Sequence, residues 1–308
     1  MSFTLKRALA TVLVLWGVCT ITFFLLHLTP GDPVEFLVLQ NASGQEGDII
    51  RHKLGLDQTL WYQYISFFKK LGHGDLGFSY TSKKPVSEEL INHLPSTFVL
   101  ALCAMLFAMV VGIPLGVLWA VQKQKWLNAF IGTYSLLGLS MPSFWLGPLL
   151  IIFFSIKLNW FPVSEQEGLT SIVLPAVSLG LGLSAVLARM TRASVLEVLC
   201  EDYVRVARAK GLSESTVLFK HALKNALTPI VTLLSLQFGA VLTGVVITET
   251  IFDWPGLGIL LYSGLRSRNY PIVQGCVLCI AALYVLVNFA TDLLYFVINP
   301  KLRTAERP

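Results

Sequence analysis

Few residues of this 308-residue chain have the types and the spacing that enzyme chemistry requires. Cys276 and Cys279 form a C-x-x-C pair, which in another setting would suggest redox chemistry or metal binding. An apolar run surrounds the pair and the sequence has no second pair, so ordinary helix packing is the better interpretation. The five histidines share no ligand spacing, and G-x-S-x-G, H-E-x-x-H and the phosphate-binding G-x-x-x-x-G-K-S/T are absent. The sequence therefore predicts no catalytic residue, no metal site and no cofactor held by this chain.

The most distinctive charged segment lies between Arg189 and Asn225, in a chain that is otherwise mostly apolar. Its seven cations are Arg189, Arg192, Arg205, Arg208, Lys210, Lys220 and Lys224. Near the centre of a membrane helix each cation would cost roughly 3 kcal/mol, and together they would cost about 20 kcal/mol. We therefore expect this segment to lie outside the hydrocarbon.

The local sequence predicts two helices within this segment. Residues from Glu201 to Lys210 favour a helix, and Gly211 can end it because glycine adopts the left-handed conformation without a Cβ penalty. Ser213 suits the N-cap of a second helix that runs through Asn225. The expected structure is a short helix, a glycine turn and another helix, between two membrane spans.

The composition is that of a polytopic membrane protein. The chain is 55% hydrophobic and 13% charged, with a mean hydropathy of +0.68, which is far too apolar for a soluble protein of this size. We predict an all-α fold of six transmembrane helices with both termini in the cytoplasm. The net charge of +5 is concentrated in loops, which indicates contact with anionic lipid headgroups rather than nucleic acid. One transmembrane domain, 1–308, would then have spans at about 8–28, 98–121, 130–156, 171–188, 228–248 and 273–297, an external region at 29–96 and the charged loop at 189–227.

The third predicted span contains Pro142 and Pro148, with Trp145 between them. Two prolines in one span imply a kink or a local unwinding for which neighbouring helices must compensate. The kink could line or gate a translocation pathway, and a purely architectural bend is equally compatible with the sequence.

Gly112 and Gly116 form a G-x-x-x-G pattern in the second predicted span. Small residues at this spacing let two helices approach closely. We predict helix packing here, with a dimer contact as the second interpretation.

The predicted external region contains an amphipathic pattern. Its apolar residues recur at intervals of three and four, as on one face of a helix. They are Leu60, Trp61, Tyr64, Ile65, Phe68 and Leu71. We expect this face to pack on the transmembrane helices or at an interface. Further along, Pro85 begins a short helix that we expect to end near Pro95.

Polar and turn-forming residues follow the fifth predicted span. We expect Glu249 and Asp253 at the outer membrane edge and Trp254, Pro255 and Gly256 in a turn. An external gate or a contact with a binding protein is the functional interpretation. A structural turn is the alternative.

The charged segment resembles the membrane-spanning subunits of ABC importers, specifically the dipeptide/oligopeptide/nickel permease family and most of all the dipeptide permeases. The resemblance rests on residues 201–213, EDYVRVARAKGLS, and 221–229, HALKNALTP. In that family this loop is the "EAA" coupling helix, which docks into a groove on the ATPase subunit. The general pattern is Glu-Ala-Ala, three residues and Gly. Here Arg205-Val206-Ala207 replaces the triplet, so that Ala207 and Gly211 match.

The resemblance implies a type I importer fold in the bacterial inner membrane and a set of partners. These are a homologous second permease chain, two ABC ATPase subunits that bind ATP and Mg²⁺, and a periplasmic or lipid-anchored substrate-binding protein. The residues that it implies in the contact with the ATPase are Glu201, Asp202, Arg205, Ala207, Arg208, Gly211, His221 and Asn225.

The solute is less clearly indicated than the mode of transport. Short peptides are the first interpretation, and nickel or a metal chelate is the alternative. A secondary transporter driven by an ion gradient is less compatible with the sequence, because Lys, Arg, Asp and Glu are absent from the central parts of the spans. Asp292 lies in the last span, but near its cytoplasmic end, which favours a structural role.

Overall fold

The structure is a computed structural model that describes residues 3–29, 31, 33–34, 51–52, 55–163, 168 and 170–298. Side chains are described throughout these ranges except at 3–8, 243 and 291–298, so the side chain of Asp292 and most of the stretch 35–54 lie outside the described residues. Helix dominates the described chain, in which Phe78 and Pro85 form an isolated antiparallel bridge. The predicted all-α class is confirmed.

The helices follow one another with short connections in most places. In the described residues they are α1 (Phe3–Leu28), α2 (Leu60–Gly72), α3 (Val86–Val121), α4 (Lys125–Ser140), α5 (Ser143–Leu150, continued by a π-helical segment, Ile151–Lys157), α6 (Val173–Leu199), α7 (Asp202–Ala209), α8 (Glu214–Thr216, continued by a second π-helical segment, Val217–Ala222), α9 (Leu223–Ile251), α10 (Leu257–Arg266) and α11 (Tyr270–Ile298). The chain divides into two compact units, Met1–Thr97 with Pro255–Val285 and Phe98–Trp254 with Leu286–Pro308.

Five helices of the described chain are long and apolar enough to cross a membrane. The expectation of six spans requires the bent pair α4 and α5 to count as one, since these helices meet at an angle of 108°. The break lies at Met141 and Pro142, where the backbone is extended. The sequence prediction of a kink in this region is confirmed.

Helix α3 does not stop near Pro95, as the sequence analysis expected, but runs for 36 residues. Its first turns are held by tertiary packing: Val86 and Leu90 are buried against Leu257 and Ile272. Two residues beyond Pro95, the Thr97 hydroxyl accepts a hydrogen bond from the Leu257 N–H at 2.7 Å. These contacts outweigh the backbone hydrogen bond that the proline cannot make.

Pro229 also lies inside a helix, although the sequence placed the start of the fifth span at about residue 228. The helical path already begins at Glu214 and passes through the π-helical segment into α9. Ala226 and Ile230, on either side of the proline, are fully buried, and Ala226 packs against Val195. Burial of this face keeps the helix intact around a residue that would end it on local preference alone.

Helix α2 packs on α1 within the first unit. The Tyr64 ring stacks on Phe24 with 5.5 Å between ring centroids, and its hydroxyl lies 3.0 Å from the Thr20 hydroxyl. The expected amphipathic helix is confirmed, and its packing on the bundle is confirmed for Tyr64. Trp61 and Ile65, which share the predicted face, are exposed.

The second unit is organised around α6, which packs against α4, α5 and α9. Helix α3 also approaches it closely: a Cβ added at Gly112 would lie 2.6 Å from the Ser184 carbonyl oxygen, and one at Gly116 would lie 2.5 Å from that of Ala188. The predicted packing role of the G-x-x-x-G pattern is confirmed, because these two positions face backbone that cannot move aside cheaply.

We expect Gly116→Ala to force α3 and α6 apart and to lower stability by about 1–3 kcal/mol, the usual effect of overpacking. The measurement is the melting temperature of the purified protein in detergent. Gly132→Ala is the matched control, because its added methyl group would meet only Trp119, at 3.4 Å. Equal melting temperatures for the two variants would show that the close approach of α3 and α6 is wrong.

Candidate functional site

The charged segment folds into a compact element that we call the basic hairpin, residues 201–222. Helix α7 starts after Glu201, whose backbone is extended, and it ends before Gly211, which has a φ of +78°. Ser213 then caps α8 by accepting a hydrogen bond from the Thr216 N–H at 3.4 Å. The predicted order of helix, glycine turn, N-cap and helix is confirmed.

A small apolar core fixes α7 in place. Val204, Ala207 and Val217 are buried together, with Val198 and Leu199 of α6 packed against them. Ala207 therefore packs inside the hairpin, so its small side chain serves the close approach of α7 to the next helix. The resemblance implied Ala207 in the contact with the ATPase, and in this structure its side chain faces the core of the hairpin.

Two ion pairs lie on the surface of the basic hairpin. The Arg208 guanidinium donates to both carboxylate oxygens of Glu214, at 2.8 and 3.3 Å, across the glycine turn. Arg205 donates to Asp202 one turn away, at 3.4 Å. All four side chains are exposed, so each pair stabilises the hairpin by less than about 1 kcal/mol. A carboxylate from outside could replace either partner at little cost.

Asn225 ties α7 to the start of α9. Its side-chain amide donates to the Tyr203 hydroxyl at 2.7 Å and to the His221 carbonyl oxygen at 3.3 Å. His221 itself is half-buried in the π-helical segment. Asn225 and His221, which the resemblance implied in the contact with the ATPase, thus help to position the hairpin.

The hairpin also exposes apolar side chains that the sequence analysis did not select. Val206 is 52% exposed and Phe219 is 63% exposed, and Tyr203 and Leu212 are exposed to a lesser degree. The spacing alone could have predicted that one of these side chains is exposed. Val204 and Val206 of α7 are two residues apart on a helix and cannot both face the same core. Apolar side chains beside cations form a surface suited to docking.

The turn predicted after the fifth span is confirmed between Phe252 and Gly256, where Asp253 has a φ of +50°. The Trp254 N–H donates to the Glu249 carbonyl oxygen at 2.8 Å, and both side chains are buried. Gly256 precedes α10, whose presence the sequence analysis missed. A gate at these residues stays a prediction.

The bent segment of the third span places Trp145 half exposed in α5 and Pro148 inside the same helix. A π-helical segment follows directly, as expected where a proline disturbs the hydrogen-bond ladder. Gly147, between these residues, packs against the end of α9: an added Cβ would lie 3.1 Å from Ile251 and 3.2 Å from Phe252. A role in lining the pathway stays a prediction.

Comparison with known proteins gives consistent results at the levels of family, relatives and fold. Residues 112–304 match the model of the binding-protein-dependent transport system inner membrane component, and residues 1–101 match the N-terminal model of the same systems. The glutathione transport system permease protein GsiC of Escherichia coli O6:H1 is 39% identical over 303 residues, which covers 98% of this chain and 99% of that protein. The same protein of Escherichia coli strain K12 is 38% identical with the same coverage.

Solved structures show the same fold. An inward-facing structure of the MetNI methionine ABC transporter is similar with a TM-score of 0.55 at 21% identity, over 68% of this chain and 96% of that chain. An amino acid ABC transporter with histidines is similar with a TM-score of 0.53 at 17% identity, over 70% of this chain and 94% of that chain.

We expect Gly211→Val to loosen the basic hairpin, because a non-glycine residue in the left-handed region costs about 1–2 kcal/mol and a β-branched one more. No described residue lies within 4 Å of an added Cβ, so the expected effect comes from backbone strain. The measurement is the rate of limited trypsin cleavage within the hairpin of the detergent-solubilised protein, which should rise about tenfold.

Gly244→Val is the matched control, because Gly244 also has open space around it but lies in α9 with ordinary helical backbone. Its cleavage rate within the hairpin should equal that of the wild type. A Gly211→Val protein that resists trypsin as well as the wild type would contradict the left-handed turn.

Proposed function

The chain belongs to the family of binding-protein-dependent transport system inner membrane components and is a permease subunit of an ABC importer; from this premise we propose that it passes short peptides. The observation that supports the solute class is the similarity, along 98% of the chain, to permeases named for the transport of glutathione, which is a tripeptide. Peptides of two or three residues are therefore the proposed solutes.

The chain is not an enzyme, so ATP must be hydrolysed by partner subunits. We infer that those ATPase subunits bind this chain at the basic hairpin. Val206 supplies exposed apolar surface beside Arg205 and Arg208, whose guanidinium groups can exchange their surface carboxylates for those of a partner. Two ATPase subunits, a homologous second permease and a substrate-binding protein complete the proposed assembly.

The hairpin is built to transmit movement. Its core includes Val198 and Leu199 at the end of α6, and its second helix continues into α9 without a loop. A displacement of α7 would therefore move α6 and α9, which pack along each other. The far end of α9 meets Gly147 of α5, next to the bent segment with Pro142, Trp145 and Pro148.

We propose that these contacts connect the hairpin to a gate. The gate would include the bent segment at α4 and α5 and the turn after α9, with Glu249, Asp253, Trp254, Pro255 and Gly256. The same proposal puts the hairpin and both termini in the cytoplasm, since the ATPase acts there. The external region, 29–96, and the turn would then face the substrate-binding protein.

The test is uptake of labelled glutathione into proteoliposomes that contain this chain, the second permease, the ATPase subunits and the binding protein. We expect uptake with ATP on the hairpin side and none with an ion gradient alone. Val206→Glu should reduce this uptake at least tenfold, because an unpaired carboxylate buried at the ATPase contact costs more than about 1.4 kcal/mol. The ATPase subunits should be lost when this variant is purified.

Val163→Glu is the matched control, because Val163 is 47% exposed and comes before the first residue of α6, far along that helix from the hairpin. This variant should still purify with the ATPase subunits. Transport driven by an ion gradient with this chain alone would refute the importer mechanism. ATP-driven uptake of nickel but no peptide would refute only the proposed solute.

We expect Cys200 to react with a membrane-impermeant maleimide only after the cells are permeabilised. All five cysteines belong to the described residues, and among them Cys200 alone is exposed, directly before the hairpin. The control is the double variant Cys200→Ser, Val163→Cys, which should react in intact cells. Val163 comes before the first residue of α6, whereas Cys200 follows its last residue. Labelling of Cys200 in intact cells would overturn the proposed orientation.

A further inference from the structure

Two arginines of α6 stand at the wall of a cavity near the end of the helix that leads to the basic hairpin. The cavity has a volume of about 290 Å³ and is lined by Trp119, Arg189, Arg192, Ala193 and Leu196. The Arg192 guanidinium carbon lies 4.1 Å from the centroid of the Trp119 ring, within the range of a cation–π contact. The cavity is therefore an open, positively charged site on α6.

The positive charge of this cavity is not neutralised within the described chain. Arg192 Nε is buried and has no hydrogen-bond partner there, and no described carboxylate pairs with either Arg189 or Arg192. A buried guanidinium N–H without an acceptor costs about 1–3 kcal/mol or more, so an anion that accepts from it would be bound favourably.

A second cavity adjoins the first and is almost wholly apolar. It has a volume of about 360 Å³ and is lined by Leu139, Val186, Arg189, Met190, Ala193 and Leu233. Arg189 and Ala193 belong to the walls of both cavities. The pair of cavities thus offers a cationic compartment joined to a hydrocarbon-like one, which suits a ligand with an anionic head and an apolar chain.

The depth of the arginines along α6 fits the level of lipid phosphates. Arg189 and Arg192 follow Val173 by 16 and 19 residues, which is about 24 and 28 Å at the helical rise of 1.5 Å per residue. The hydrocarbon core of a bilayer is about 30 Å thick. If α6 enters the hydrocarbon near Val173, both guanidinium groups lie at its far boundary, and Trp119 is of the residue type that prefers this boundary.

We propose that the two cavities bind one anionic phospholipid, with its phosphate between Arg189 and Arg192 and an acyl chain along Val186, Met190 and Leu233. Trp119 holds the Arg192 guanidinium in position to donate. The shared chemistry is a phosphate oxygen accepting from two guanidinium groups, and the acyl chain distinguishes the lipid from free phosphate. This inference concerns lipid binding only and does not depend on the proposed solute.

Native mass spectrometry of the purified transporter, mixed in detergent with phosphatidylglycerol or phosphatidylcholine, tests the proposal. We expect one phosphatidylglycerol to be retained per chain and phosphatidylcholine to be lost. Arg189→Gln combined with Arg192→Gln should weaken phosphatidylglycerol binding about 25-fold, roughly fivefold for each cation at the membrane surface. Lys123→Gln combined with Lys125→Gln removes the same charge from exposed residues outside both cavities and should leave binding unchanged.

Ala193→Trp keeps every charge but fills the wall that both cavities share, and it should also abolish phosphatidylglycerol retention. If the double arginine variant fails to assemble, Ala193→Trp still tests whether the two cavities bind the lipid. Equal retention by the wild type and Ala193→Trp would overturn the proposal. Release of the lipid by millimolar inorganic phosphate would show that the site binds free phosphate. Loss of phosphatidylglycerol binding when the second permease chain covers the cavities would show that they form a protein contact. Either result would overturn the lipid proposal.

Discussion

The packing of α7 on the helices that flank it is the contact on which the rest of this chain depends. Val204 and Ala207 are buried against Val217, and Val198 and Leu199 of α6 complete the same core. An eight-residue helix has little stability of its own, so α7 persists only because this core holds it. In the proposed mechanism this core couples α7 to its neighbours, because α7 packs on α6 and on the π-helical segment that leads into α9.

The proposed movement of α7 requires tightly packed helices to act on, and glycines allow α3 and α6 to pack tightly. Gly112 and Gly116 place α3 against the backbone of α6, and Gly180 lets α6 approach Ala104 from the other side of the same contact. Lipid offers no hydrophobic drive for helix association, so close backbone contact is the main source of attraction between these helices. In the proposed mechanism, a movement of α6 would therefore displace neighbouring helices as whole units.

The sequence was sufficient for much of the fold and for the outline of the hairpin, because both rest on local or compositional signals. The long apolar runs, the kink at Pro142 and the turn at Gly211 were all predicted from residues close to them in the chain. The errors fell where distant contacts override local preference: α3 continues through Pro95 because Leu257 and Ile272 cover its first turns, and α9 continues through Pro229 because Ala226 and Ile230 are buried. The packing of Ala207 against Val217 is likewise a contact that only the fold shows, since the sequence assigned Ala207 through the family resemblance alone.

Helices α6 and α7 each carry a positively charged site, and the two sites differ in physical character and therefore in the role that we propose for them. On the hairpin, Arg205 and Arg208 are exposed and already hold Asp202 and Glu214 in weak surface pairs, so they can exchange partners at little cost. Arg192 lies about two turns before the end of α6, over the Trp119 ring, and its buried Nε–H has no acceptor among the described residues. The first arrangement suits a contact that forms and breaks during a transport cycle. The second suits an anion that stays in place.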